Sequence, residues 1–255
     1  MNPIDVLPDN VLLEIFELYV KDQLYSRSWT DQWRPLVHVC RRWRGIVFGS
    51  PRRLDLRLYC TPRTPARDAL NIWPALPLVV GGSMVNSGSG ADNIIAALEQ
   101  SNRVCSVDLG LAAQQLEQVF GVLQVPFLEL TNLQITLQDD ETLPVIPIPD
   151  SFLGGSAPLL EHFELFGIPF PGLPKLLLST THLITLRLYN IPHSGYISPE
   201  AMVALLSTLS SLKLLSLVFQ SPQSRPDCES PSLPPPNDLS SPLSTTFNSK
   251  ALPNI

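Results

Sequence analysis

Lysine is scarce in this chain of 255 residues: Lys21, Lys175, Lys213 and Lys250 are the full set, with none between the first two. Charged residues make up only 16%, and the net charge is −6. A protein that binds nucleic acid by releasing counterions from phosphates needs clustered cations, so that class is excluded. The cysteines Cys40, Cys60, Cys105 and Cys228 form no Cys-x-x-Cys pair and supply no zinc-ligand cluster. No apolar run of about 18 or more residues is present to span a bilayer. The N-terminus lacks a basic segment followed by an apolar core and a small-residue cleavage site. A reduced, soluble, intracellular protein is therefore expected, cytoplasmic and/or nuclear, with no membrane partner.

Catalytic signatures are missing too. The histidines, His38, His162, His182 and His193, show no His-x-x-x-His spacing, and neither His-Glu-x-x-His nor Gly-x-Ser-x-Gly occurs. The glycine-rich stretch from Val79 to Gly90 lies between a predicted strand and a predicted helix, where phosphate loops sit. It has no lysine, which a P-loop needs, and Gly88-Ser89-Gly90-Ala91-Asp92-Asn93 lacks the third glycine of a dinucleotide turn. A connection between structural units is the reading that remains. No catalytic residue, metal or cofactor is expected, and the chain is not expected to be an enzyme.

Proline, by contrast, is abundant: 26 residues, about twice ordinary usage, falling mainly between apolar runs and in the tail. The first apolar run opens with one. Pro8 suits a first helical turn and Asp9 its positive dipole end. Leu12, Ile15, Phe16 and Tyr19 follow at i, i+3, i+4 and i+7, a helical face that Val11 and Leu18 widen. Residues 21–33 lose the period and read as a loop. Pro35 opens a second helix whose stripe is Leu36, Val39, Cys40, Trp43 and Val47, with Arg41, Arg42 and Arg44 off it.

From residue 50 the pattern changes. Leu54, Leu56 and Leu58 alternate as in a short strand, and a turn and brief helix follow over 61–70. The pattern apolar-x-x-apolar-x-apolar then recurs six times. It falls at Trp73/Leu76/Leu78, Val104/Val107/Leu109, Leu130/Leu133/Ile135, Leu160/Phe163/Leu165, Leu183/Leu186/Leu188 and Leu212/Leu215/Leu217, with starts 31, 26, 30, 23 and 29 residues apart. Helices are predicted between them at 92–101 with Asp92 as N-cap, at 113–123, and at 199–210 with Ser198 as N-cap and Pro199 in the first turn. A strand-plus-helix unit cannot bury its apolar face alone, so stacking is required. The expected fold class is α/β: all-α helices at the N-terminus, then an irregular leucine-rich-repeat solenoid of parallel strands with helices outside. A doubly wound α/β sheet is the alternative.

After Gln220 the period stops, and the Pro/Ser-rich composition of 221–255 buries too little area to offset ordering entropy. The expected division is a helical module at 1–50, a linker with a short strand and helix at 51–72, repeats at 73–220 and a disordered tail at 221–255. Within the repeats, residues between the buried strand positions alternate onto the opposite, concave face. These are Ser106 and Asp108, Asn132 and Gln134, His162 and Glu164, and Thr185 and Arg187, with Phe166 and Tyr189 just beyond. Asp108, Gln134, His162, Glu164, Arg187 and Tyr189 are the candidates for holding a protein ligand; a solvated sheet face would have the same polarity.

Leu7-Pro8, the run Leu12-x-x-Ile15-Phe16 and the segment Val39-Cys40-Arg41-Arg42-Trp43-Arg44 stand in the order of an F-box. With the repeats, the chain resembles fungal F-box proteins carrying degenerate leucine-rich repeats. Residues 50–58 and 73–78 also look like that group. Asn10 stands where the family usually has Glu, and the 21–33 loop is longer than in compact members. The resemblance implies a substrate-receptor subunit of an SCF-type cullin–RING E3 ubiquitin ligase. Its F-box would bind a Skp-type adaptor through Leu7, Pro8, Leu12, Ile15, Phe16, Leu36, Val39, Cys40 and Trp43, some of which must instead close the helices on each other. The repeats would hold an unknown protein substrate for ubiquitin-dependent degradation. Family members continue through further repeats where this chain turns Pro/Ser-rich. The alternative is therefore a non-ligase leucine-rich-repeat scaffold, or a truncated form without functional substrate binding.

Overall fold

Residues two apart in a strand point to one face, and seven short segments use that rule to build one sheet. In the computed structural model they are β1 (Leu58–Cys60), β2 (Leu78–Ser83), β3 (Val104–Leu111), β4 (Asn132–Leu137), β5 (His162–Phe166), β6 (Thr185–Ile191) and β7 (Leu214–Phe219). The structure describes residues 6–23, 31–84, 90–138, 147–170, 175–192, 195 and 198–220. Residues 1–221 form one unit; the expected disordered tail lies outside the described residues, as do 85–89 of the glycine-rich stretch. Every strand pairs in parallel with the next one in sequence. A doubly wound sheet reverses its strand order at a switch point, and this order has no reversal.

Three helices precede the sheet: α1 (Asp9–Gln23), α2 (Arg34–Val37) and α3 (Arg41–Gly49). Parallel strands need crossovers. These contain α4 (Ala66–Ile72), α5 (Ala91–Leu98), α6 (Ala113–Val122), a 3-10 turn (Phe152–Gly155), α7 (Lys175–Ser179) and α8 (Pro199–Thr208). α4 packs on α5, α5 on α6, the 3-10 turn on α7, and α7 on α8. Phe120 of α6 meets Phe152 of the turn at 5.5 Å, so the crossovers form a layer in chain order.

Five of the six predicted triplets fall in register. Val107, Leu133, Phe163, Leu186 and Leu215 stand side by side, and so do Leu109, Ile135, Leu165, Leu188 and Leu217. The first triplet is corrected: Val80 and Gly82, not Leu76 and Leu78, lie opposite Val107 and Leu109. Gly82 has φ of +128°, and a Cβ there would sit 3.0 Å from Pro62 Cδ, so the site excludes the apolar side chain that the pattern requires. The strand predicted from Leu54 shrinks to Leu58–Cys60. Asp55 turns through φ +44°, yet Leu54 and Leu56 still bury. Ser198 caps α8 as expected, its Oγ accepting from the Ala201 N–H. Gly90, rather than Asp92, occupies the N-cap position of α5. The single helix expected from Pro35 breaks into α2 and α3, because Cys40 is extended and its carbonyl starts a new helical turn with the Arg44 N–H.

The segment read as a loop at 21–33 also differs. α1 continues to Gln23, residues 24–30 lie outside the described set, and Asp31 and Trp33 are buried at 8% and 2% exposure. The Leu58 N–H donates to the Pro77 carbonyl, which turns the alternate groups of β1 away from the sheet. Those groups meet this segment. Trp33 Nε1 donates to the Arg57 carbonyl at 2.8 Å, and Asp31 Oδ1 accepts the Tyr59 N–H at 2.6 Å. Asp31 also pairs with Arg34, whose guanidinium lies over the Trp73 ring. Trp33 contacts Phe48 and Trp73 edge-on at 5.6 and 5.0 Å. The first edge of the sheet is thus closed by the helical module. Trp33→Ala should cost about 3–5 kcal/mol in denaturant unfolding. Trp33→Phe, which loses the indole hydrogen bond but keeps a ring, should cost about 1–2 kcal/mol.

Candidate interaction surfaces

Residues four apart on a helix share one line along its surface, and α1 splits its apolar residues along two such lines. Leu12, Phe16 and Val20 point inward, at 1%, 1% and 7% exposure, and Phe16 lies against Trp43 of α3 with ring centroids 4.6 Å apart. Ile15, Leu18 and Tyr19 point outward, at 45%, 69% and 38%. The single continuous face read from the sequence is therefore two. Of the other residues in the predicted adaptor set, Leu36 is buried and Leu7 and Trp43 are half-buried against the core. Pro8, Val39 and Cys40 are exposed, the last two at the corner between α2 and α3. Val37, absent from that set, is fully inside. Val6 and Leu18, also absent from it, are among the most exposed apolar side chains.

Charged side chains fasten this module rather than cover its apolar side. Arg42 Nε donates to Asp9 at 2.9 Å, tying α3 to the start of α1. Glu17 receives Lys21 and Arg53, each at 2.8 Å. Those hydrogen bonds hold its carboxyl well below the usual range, at about 2.

The second surface is the sheet face opposite the buried leucines. Strand register arranges it in rows that run across the strands, with neighbours in a row about 4.8 Å apart. One row runs Ser106, Asn132, His162, Thr185, Leu214; the next runs Asp108, Gln134, Glu164, Arg187, Ser216. A third runs Gly110, Thr136, Phe166, Tyr189. All six predicted ligand-holding residues, Asp108, Gln134, His162, Glu164, Arg187 and Tyr189, therefore come onto one face. Phe166 is 41% exposed beside Tyr189. Thr136 and Gln138 complete the face and were missed. Ser83 Oγ donates to Gln138 Oε1 at 2.8 Å. That side chain occupies the space over Gly110, where a Cβ would sit 2.5 Å from the amide nitrogen. Gly110 inside a strand, at a position that alternation gives to the polar face, was the available signal for such a close approach.

Charge is unevenly satisfied here. Arg187 Nη1 reaches Glu164 Oε2 at 3.4 Å. Asp108, across Gln134 from Glu164, has no ion-pair partner among the described residues. Burial pushes its carboxyl up, and the Glu164 charge adds to the shift. Hydrogen-bonding groups, one ion pair and two adjacent rings are the means of recognition this face has. No family model, curated protein or solved structure matches the chain.

A carboxyl raised on folding binds protons more readily in the folded state, so its contribution to stability is lost as pH rises from its ordinary value through the raised one. Asp108→Asn should accordingly raise the unfolding midpoint relative to the parent at about pH 7, and by less at about pH 4, where the parent carboxyl is protonated in a larger share of molecules. Chemical denaturation of both proteins at the two pH values checks this.

Proposed function

We propose that the chain is a substrate receptor of a cullin–RING ubiquitin ligase, with an F-box at its N-terminus and a degenerate leucine-rich-repeat solenoid behind it. The observation that carries the reading is the division of α1. A small helical module that keeps Leu12, Phe16 and Val20 for its own core and leaves Ile15, Leu18 and Tyr19 exposed has apolar area in excess of its internal needs. Exposed Val39 at the α2–α3 corner adds to that area. The F-box pattern in the sequence names an occupant for it, a Skp-type adaptor. Support for the repeat reading comes from the strand rows in register, the strand order without reversal and the helix layer in chain order.

On this reading the adaptor contacts are Ile15, Leu18, Tyr19, Pro8, Val39 and Cys40, while Leu12, Phe16 and Leu36 shape the module from inside. The polar rows of β3 to β6 hold the protein to be modified. The receptor performs no covalent step; it raises the local concentration of a substrate lysine near the charged carrier enzyme.

Ile15→Asp with Leu18→Asp should weaken capture of a purified Skp-type adaptor by roughly 2–4 kcal/mol, the scale of an interface hot spot, with the melting temperature unchanged. Phe16→Ala should instead lower the melting temperature, through a cavity worth about 3–5 kcal/mol. A folded parent chain that fails to bind the adaptor in a titration would sink the ligase reading and leave an interaction scaffold.

A further inference from the structure

The two edges of the sheet are treated differently. At β1 the outward backbone groups of Arg57 and Tyr59 are taken by Trp33 and Asp31. Just before β7 the Lys213 N–H donates to the Ile184 carbonyl, which the Leu214 N–H shares, and the Gln220 N–H donates to the Ile191 carbonyl, so from Leu214 onward the even-numbered residues face β6. The backbone groups of Leu215, Leu217 and Phe219 face outward and have no partner among the described residues. Exposed edges are ordinarily blunted by charge, proline or a short strand. β7 is Leu-Leu-Ser-Leu-Val-Phe, six residues with neither charge nor proline.

Side chains set this strand apart as well. In the row Ser106, Asn132, His162, Thr185 the polar face ends on Leu214, which is 38% exposed, and Val218 is 47% exposed. Leu215, on the helix-covered side, is 38% exposed. A strand apolar on both faces is the composition of one with neighbours on every side.

We propose that β7 pairs antiparallel with β7 of a second copy of this chain, about a two-fold axis at Ser216. The sequence of the strand is self-complementary about that residue. Ser216 then faces its own counterpart, where two hydroxyls can share a hydrogen bond. Leu214 meets Val218 on the polar side, and Leu215 meets Leu217 on the helix side. Lys213, the one charge adjoining the strand, comes opposite Phe219, which accepts a cation on its ring face. The two lysines end up at opposite ends of the ribbon, whereas parallel pairing would set them side by side. Leu215 and Leu217 are an outward-facing pair and exchange both backbone hydrogen bonds. The result is an isologous interface that joins two seven-stranded sheets into one.

The test is the mass of the full-length chain by light scattering over a concentration series, with Val218→Lys, Leu214→Glu and the double variant. Both side chains are exposed, so the substitutions leave the core intact, and thermal melts check this. The expected result is a species of twice 28.2 kDa. Each single variant should weaken it by at least ~tenfold, because a charge then faces an apolar side chain. The double variant should restore it, since the carboxylate introduced in each copy would face the ammonium introduced in the other. A monomer at every concentration overturns the proposal, whether solvent or the chain's own C-terminal residues cover the edge. A dimer indifferent to these changes also overturns it, and assigns association to another surface such as the outward side of α1. Loss in the single variants without rescue overturns the antiparallel register.

Discussion

The polar contacts that Asp31 and Trp33 make with the backbone of β1 are the constraint on which the rest of the arrangement rests. A parallel sheet cannot satisfy its own outermost strand, and β1 is only three residues long. Its outward groups are met by an indole N–H and a carboxylate delivered from a segment between two helices. The same indole packs on Phe48 of α3 and on Trp73 beyond α4. One side chain thereby fixes the helical module against both the first strand and the first crossover. Burial raises the Asp31 carboxyl, opposed by the Tyr59 N–H and by Arg34. The contact is therefore costly if either partner is lost and, while intact, orients the module through directional bonds rather than apolar contact alone.

That anchoring explains how α1 can leave three large apolar residues uncovered. The module does not rely on its outward face for attachment, because Glu17, Arg53, Arg42 and Asp9 tie its parts from the sides. An exposed apolar strip on a floppy hairpin would fold back on itself. On a module already held by Trp33 it stays available, and for the proposed adaptor contact that preorganisation lowers the ordering entropy of binding.

How much of this was legible in the sequence follows from the distance over which each feature is encoded. The rows Val107 to Leu215 and Leu109 to Leu217 were readable because alternation within a strand is local, and each triplet carries its own signal. The polar rows came with them, since the opposite face is fixed once the buried positions are known. Trp73 misled the register because an aromatic fits the same spacing; its actual neighbours, Trp33 and Phe48, lie 40 and 25 positions earlier. The roles of Asp31 and Trp33 had no local signature at all, because the groups they satisfy are 28 and 24 residues away. The division of α1 was half legible. Helical spacing shows that Ile15, Leu18 and Tyr19 are neighbours, but only the position of α3 decides which line turns inward.

The position of the polar face relative to the anchored edge matters for the proposed function. Strands are about 4.8 Å apart, so β5 lies four spacings, roughly 19 Å, from β1 along the sheet. Glu164 and Phe166 on β5 and Arg187 and Tyr189 on β6 are therefore held at a set distance from the helical module by a continuous hydrogen-bonded ladder. Each strand of that ladder is bonded to the next, and the module is joined to its first strand by side-chain hydrogen bonds as well as by the chain. A ligand on these rows would be presented to whatever docks on α1 at a separation set by strand count. In a receptor that acts by proximity, that separation governs effective concentration more strongly than the affinity of either contact.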